Sequence, residues 1–298
     1  SGAGWREALA KFEVVAMALA PERHISTFVA HYRRRGADRI RVFFDGETAL
    51  AGDFEGAEVI ACDEGFWRDL GVSRPESVED RQRAVYDLAY RQTASDWLLV
   101  VDIDEFILGE GSIGDLLAST ASDRESVIFR TVEAVYSDQH DLSQEYGAAF
   151  FRRSYGRPFS SVLPYLLYPG CGGFFTQGLL GHDMGKHAVR AGLSGVEICI
   201  HESKRGGAPL SAAVAKTLLL AHYDAISLEQ WRGKWDRRLA VQDTWEMGRK
   251  RRLQSALYDR ARRLGAEAEL FRRIYVVSGF QTFVLRCLNL IIPNNQTI

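Results

Sequence analysis

The stretch WLLVVDIDEF, residues 97–106, decides how this chain is read. Five apolar residues run without a break into three carboxylates, Asp102, Asp104 and Glu105. An unbroken apolar run of this length, bounded by polar residues, suits a strand covered on both faces. Alternation along a strand puts Asp102 and Asp104 on one face, with Glu105 pointing away unless the chain has already turned. Two carboxylates this close repel, and joint ionisation is disfavoured. A bound Mn²⁺ or Mg²⁺ removes that cost, since Mg²⁺ takes one or two protein carboxylates and completes its shell with water and phosphate oxygens. The plainer reading is an exposed acidic turn after a strand.

Upstream, FEVVAMAL (12–19) reads as a buried strand. A helix follows, with Ile25, Phe28, Val29 and Tyr32 at helical spacing, Arg33 to Arg35 near its end and Gly36 as its stop. IRVFFDG (40–46) and AEVIAC (57–62) read as the next two strands. Residues 77–94 form an amphipathic helix with Val78, Arg81, Val85, Leu88 and Ala89 near one face. Strands alternating with helices predict a parallel, doubly wound sheet. Such sheets bind ligands beyond the carboxyl ends of their strands. Asp45 and Asp102 both fall at strand ends and are expected to face one crevice.

Downstream the pattern is less regular. SVIFRTVEAVY (126–136) predicts one strand. Residues 154–186, rich in glycine, proline and aromatics, predict loops or short strands and no helix. GVEICIHE (195–202) predicts a strand ending at His201. From Ser211 to about Leu264 the pattern is helical, broken near His222 to Ser227. A domain over 1–210 with a helical C-terminal extension over 211–298 is therefore expected.

At 46% hydrophobic and 26% charged residues, the composition is that of an ordinary globular protein. A net charge of −2 gives no global attraction to nucleic acid. Cys62, Cys171, Cys199 and Cys287 form no CxxC pair, which argues against structural zinc and for a reducing compartment. The opening SGAGWREALAKF lacks the pattern of a signal peptide, and no apolar run reaches membrane-spanning length. A cytoplasmic location is expected. Residues 231–263 hold eleven Lys/Arg against four Asp/Glu. This stretch, where Trp235, Leu239 and Trp245 can face a core, reads either as a solvated amphipathic helix or, with the apolar tail 274–292, as a peripheral contact with the inner face of a membrane.

Several motifs in order resemble the family-2-like glycosyltransferases related to the family-92 group. Phe28, His31, Gly36 and Asp45 match an opening helix and second strand; Asp102, Asp104, Glu105 and Phe106 match a D-x-D-E-F strand end. Gly185, Lys186 and Arg190 match G-K-x-x-x-R, and His201 a strand ending in His. His222, Tyr223, Ser227, Glu229, Trp231 and Lys234 match H-Y-x-x-x-S-x-E-x-[FW]-x-x-K. The likeness spans roughly residues 12 to 238 and departs at Gly46-Glu47-Thr48 and at Ile226.

The resemblance implies a GT-A-like, Rossmann-like mixed sheet and a nucleotide-diphospho-sugar donor, UDP-linked by expectation. It also implies a divalent cation, inversion at the sugar carbon, and a glycan or lipid-linked acceptor. On this reading Asp102, Asp104 and His201 hold the metal. Ala18, Glu22, Asp45, Lys186, Arg190 and His222 serve the donor. Asp183, Glu133 and Glu202, in that order, are candidates for the base. A metal-dependent nucleotidyltransferase is an alternative, weakened because ALAPERH (18–24) has no glycine for a phosphate loop. A glycoside hydrolase needs two carboxylates opposed across a sugar, which DxD on one strand face does not supply. A non-catalytic nucleotide-sugar-binding protein is a further alternative.

Overall fold

The computed structural model describes residues 9–46, 50–181, 183–240, 249–296 and 298. Glu47, Thr48 and Trp245 lie outside the described residues. In chain order the first elements are β1 (Phe12–Ala18), α1 (Glu22–Arg34), β2 (Arg39–Phe44), β3 (Glu58–Ala61), α2 (Glu64–Asp69), α3 (Val78–Gln92) and β4 (Trp97–Val100). β5 (Glu105–Gly109), α4 (Ile113–Ala118), β6 (Ser126–Phe129), β7 (Thr131–Ser137), β8 (Phe150–Arg153) and α5 (Phe159–Leu167) follow. Five short strands come next: β9 (Lys186–Arg190), β10 (Val196–Glu197), β11 (Lys204–Arg205), β12 (Ala208–Pro209) and β13 (Ala212–Val214). The chain closes with β14 (Leu218–His222), α6 (Leu228–Ala240), α7 (Arg249–Arg263), α8 (Glu267–Tyr275), β15 (Val276–Val277), α9 (Gly279–Cys287) and β16 (Ile291–Pro293). It folds as two compact units: residues 1–130 with 184–220 and 298, and residues 131–183 with 221–297.

The first unit is built on a mixed seven-stranded sheet in the order β13-β6-β9-β4-β1-β2-β3. β3, β2, β1 and β4 are parallel, β9 runs antiparallel to both β4 and β6, and β13 is parallel to β6. β1, β2 and β4 are mostly apolar and almost wholly buried, as strands covered on both faces are. On one face Val15, Met17, Phe43, Leu98 and Val100 pack with Trp67 of α2 and Val85, Tyr86 and Ala89 of α3. The helix starts follow from capping: Ser77 Oγ accepts from Asp80 N at 3.1 Å, and Asp63 Oδ1 from Phe66 N at 2.8 Å. Buried Arg41 of β2 pairs with Glu13 of β1 and donates to Ala89 O at 2.8 Å, tying the end of α3 to the sheet.

The motifs of the sequence meet in this core. His31 Nε2 lies 3.1 Å from Ile107 O, and Tyr32 OH donates to Glu105 O at 3.0 Å. The His31 and Phe106 rings meet edge-on at 5.1 Å. The F-x-x-H helix and the D-x-D-E-F segment are thus neighbours through packing. Burial, with Arg35 and Arg34 nearby, lowers the His31 pKa to about 4, so this ring is neutral.

In the second unit, β7 pairs antiparallel with β8, β8 with β16, and β15 lies parallel to β7. Arg152 of β8, fully buried, donates to Glu133 of β7 at 2.9 Å and to Tyr168 OH at 2.7 Å. Asp224 is held between Lys234 Nζ, at 3.0 Å, and the Tyr275 hydroxyl. Burial opposes its charge, but Lys234, His222, Arg251 and Arg238 keep its carboxyl well below the usual range. Lys234 of the last sequence motif is therefore an internal partner.

Several sequence expectations give way to tertiary pairing. The strand expected over 97–106 is two strands with a turn between them. The strand expected over 126–136 breaks at Arg130. Phe159–Leu167, expected to be non-helical, is a helix despite Pro164, because Leu163, Pro164 and Leu167 form a buried stripe. The alanine- and leucine-rich stretch after Ser211 forms β13 and β14 rather than a helix; β13 pairs with β6 from Ala212 opposite Ser126, so sheet pairing outweighs local propensity. The expected strand over 195–202 shrinks to Val196–Glu197. The basic charge of 231–263 is in part internally balanced: Arg262 and Arg263 reach Asp259, Arg262 also Asp236, and Arg232 Glu267.

Candidate functional site

Strand order places the candidate site of the first unit. β1 leads to β2 and β3 on one side, while β4 pairs on its other side, so the order reverses between β1 and β4. The loops leaving the carboxyl ends of these two strands flank a crevice of the kind that binds ligands in open α/β sheets. The loop after β4 is Val101 to Asp104.

This loop is a closed turn. Glu105 N donates to Asp102 O at 3.1 Å, and Asp102 N donates to Glu105 Oε2 at 2.8 Å. Glu105 therefore folds back beneath the turn and is buried, rather than pointing away from a continuous strand. Asp102 and Asp104 are half-buried on the turn itself. Lys186, the first residue of β9, is fully buried; its Nζ lies 2.8 Å from Asp102 Oδ2 and 3.7 Å from Glu105 Oε2. Burial pushes this ammonium's pKa down, but Asp102, Glu105 and Tyr86 outweigh it and hold the pKa above its ordinary value. Asp102 Oδ1 accepts from Gln82 of α3 at 3.3 Å. Sequence reasoning missed Gln82, and no local pattern marks it.

Asp45, expected to face the donor directly, anchors two arginines instead. Its Oδ1 accepts from Arg74 at 2.7 Å, and its Oδ2 from Arg81 at 2.9 and 3.1 Å. Beside it, at the ends of β2 and β3, opens a pocket of about 560 Å³ lined by Gly46, Cys62, Asp63, Glu64, Gly65 and Arg74. Burial and Asp45 push the Cys62 thiol up to about 12, so it is no nucleophile. Ala18, at the end of β1, accepts from Asp45 N at 2.8 Å. Glu22 receives the amides of Ala51 and Gly52, each at 3.0 Å, and so fixes the loop after β2.

Arg190 lies elsewhere. β9 runs antiparallel to β4, with Arg190 opposite Trp97 and His187 opposite Val100. The arginine is thus at the amino end of β4, where it covers the Trp97 ring at 4.3 Å and donates to Thr120, Ala121 and Arg124 carbonyls.

His201 sits in an irregular segment, not at a strand end. His187 Nδ1 lies 3.0 Å from His201 O, and its Nε2 lies 2.8 Å from Ser203 Oγ. Burial and Lys186 lower the His187 pKa to about 4. His201 and exposed Glu202 line a separate pocket of about 220 Å³ with His187, Ser203 and Met184.

Among the described residues no three His, Cys, Asp or Glu side chains gather as a metal cage, so Asp102, Asp104 and His201 do not form the expected three-ligand set. The acidic turn fits a hard cation in a different manner. Asp102 keeps 30% side-chain exposure although Lys186 occupies its Oδ2. One or two carboxylates suffice where phosphate oxygens complete the shell.

The second unit holds the other candidates. Glu133 accepts from Leu180 N at 2.8 Å, Gly181 N at 2.5 Å and Arg152, so both its oxygens are engaged. Lys250 of α7 donates to Gly181 O at 2.7 Å and Leu179 O at 3.4 Å, and Gln254 to Leu180 O at 3.4 Å. The 179–181 segment is thus clamped by its amides and its carbonyls. His222, the last residue of β14, is a close neighbour: a Cβ built on Gly181 would lie 3.4 Å from its ring. Half-buried Asp183 follows this segment. Burial lowers the Lys250 pKa to about 8, against the pull of Glu133, Asp224 and Asp183.

No family model and no curated protein matches the chain. Among solved structures it is similar to glucosyl-3-phosphoglycerate synthase from Mycobacterium tuberculosis, in complex with Mn²⁺, UDP and glucosyl-3-phosphoglycerate. Identity is 17%, over 61% of this chain and 57% of that one, with a TM-score of 0.31. It is also similar to GalNAc-T7 with UDP, GalNAc and Mn²⁺, at 10% identity, over 76% and 47% of the two chains, with a TM-score of 0.37. A third is S. aureus TarS 1–349, at 13% identity, over 78% and 64%, with a TM-score of 0.34. The chain spans between 47% and 64% of the length of these three. Its own fold is mixed α/β, built on a mixed seven-stranded sheet.

Proposed function

We propose that this chain is a metal-assisted glycosyltransferase using a nucleotide-diphospho-sugar donor, UDP-linked, and an inverting displacement onto a glycan or lipid-linked acceptor. The observation that carries this reading is the Asp102–Asp104 turn at the reversal of strand order between β1 and β4. Asp102 and Asp104 would hold Mn²⁺ or Mg²⁺. That ion, when bound, supplies neutralisation of the charge that grows on the departing diphosphate.

The chain's own residues do the rest. Lys186 fixes Asp102 from below and adds a permanent positive charge at the carboxyl end of β4. The pocket beside Arg74 offers a guanidinium to the nucleotide portion. In the displacement the acceptor oxygen bonds to the sugar carbon, the bond from that carbon to the diphosphate breaks, and a base takes the hydroxyl proton. Asp183 and Glu202 are the carboxylates proposed for that base; Glu133 is set aside, because both its oxygens are engaged with Arg152 and the Leu180 and Gly181 amides.

One observation favours a second reading. Lys186 already balances Asp102, which suits a protein that binds nucleotide-sugars without metal and without turnover. Following release of UDP from a panel of UDP-sugars, with and without Mn²⁺, separates the two. Metal-stimulated release lost in Asp104→Ala supports the transferase. Release undiminished in that variant removes the acidic turn from the mechanism, and no release beside measurable UDP binding favours the second reading.

A further inference from the structure

The second unit exposes apolar side chains on two helices. On α5, Phe159, Val162, Tyr165 and Leu166 face outward, the last at 67% exposure, while Leu163, Pro164 and Leu167 are buried. On α9, Phe280 and Phe283 are exposed at 69% and 67%. The two helices are joined: Gln281 Nε2 of α9 donates to Leu167 O at the end of α5. Between them lies a groove of about 450 Å³, bordered by Leu167, Tyr168, Ser278 and Gln281 and by Arg272 and Arg273 at the end of α8.

Charge around this surface has one dominant sign. Neither α5 nor α9 carries an acidic residue. Arg157 precedes α5, Arg286 lies on α9, and Arg272 and Arg273 stand at the groove, all four exposed. The opposing groups are Asp138, which also lines the groove, and Glu269, which pairs with Arg273 at 3.0 Å.

We propose that α5 and α9 form a docking face for an anionic lipid surface. Outward aromatic and aliphatic side chains on short helices, rimmed by arginine, have the composition of an element that lies in the headgroup region. Tyrosine and phenylalanine enter that region, and arginines beside them meet lipid phosphates. A second copy of this chain is the less suitable occupant. A twofold contact through this face would set the same arginines against each other. α9 lies in the tail 274–292 that was expected to share a membrane contact with 231–263; α5 was not expected there, and in 231–263 Arg232, Arg262 and Arg263 already have acidic partners. The inference stands apart from the sugar-transfer reading, since it needs neither the acidic turn nor a donor.

Co-sedimentation of the full chain with vesicles tests it, comparing phosphatidylcholine alone with phosphatidylcholine containing phosphatidylglycerol. The expected result is binding to the anionic vesicles that weakens as salt is raised. The double variant Phe280→Ser, Phe283→Ser should bind about tenfold or more weakly. Arg272→Glu with Arg273→Glu should lose on the order of tenfold. Phe280 and Phe283 are exposed, so the melting temperature of that variant should stay at the wild-type value, while the arginine variant, which loses the exposed Arg273–Glu269 pair, should fall only slightly. Absence of sedimentation with anionic vesicles overturns the proposal, as does binding that neither double variant weakens. A concentration-dependent dimer that Phe280→Ser and Phe283→Ser disperse also overturns it, assigning the face to a second copy.

Discussion

At Lys186 one ammonium sits against two carboxylates in a fully buried position, and much of the acidic turn depends on it. Replacement by methionine keeps the volume of the stem but takes the ammonium away from buried Glu105 and from Asp102. A loss of about 3 kcal/mol in unfolding free energy is expected, the size typical of breaking a buried pair from one side. Urea unfolding of Lys186→Met measures it. A change below about 1 kcal/mol, the range of an exposed pair, would show that the ammonium is not holding the turn. Asp102 and Asp104 were legible because an apolar run delivers them to a strand end. The bond of Asp102 to Lys186 was not, because it arises from pairing of β4 with β9, which brings in a residue 84 positions further along the chain. Asp45 was found by the same strand-end argument, but nothing local foretold that Arg74 and Arg81 would occupy both its oxygens.

Among the elements, those with strong periodicity were read correctly: α1, which ends just before Gly36, and α3, which Ser77 caps. Those decided by distant partners were not. α5 contradicts its proline, and β13 and β14 contradict their alanine and leucine content, because burial and sheet pairing set their form. The 179–181 segment belongs to the same class: Glu133 from β7 and Lys250 and Gln254 from α7 define it. Lys250→Ala should free the Gly181 and Leu179 carbonyls and raise hydrogen exchange at the Leu180 and Gly181 amides about tenfold. Unchanged exchange would mean that Glu133 and Gln254 hold the segment without Lys250.

Across the whole molecule, acid stability reports two neutral histidines in the first unit. His31 and His187 are each lowered from an ordinary 6.5 to about 4. Between these values the unfolded chain binds protons that the folded chain does not. Stability from both is therefore complete above pH 6.5 and declines as pH falls towards 4, by up to about 1.4 kcal/mol per pH unit for each ring. Urea midpoints at pH 7 and pH 5 should differ accordingly, and His31→Gln should reduce the difference by about half. A difference that is unaltered in that variant would place the proton uptake elsewhere. The charge balance gave no such signal, since these histidines are set by burial rather than by composition. No helix among the described residues is long and apolar enough to cross a membrane.

The acidic turn after β4 is proposed to bind a nucleotide diphosphate through a divalent cation. The most direct measurement is the melting temperature of the chain with UDP, with and without Mn²⁺, for the wild type and for Asp104→Ala. A ligand at a hundredfold excess over its dissociation constant stabilises by about 2.7 kcal/mol, so a rise of about 5 °C or more is expected for the wild type with both UDP and Mn²⁺. Asp104→Ala should melt as the wild type does without ligand and show no rise with them. An equal rise in wild type and variant, or a rise with UDP that Mn²⁺ does not change, would contradict the claim.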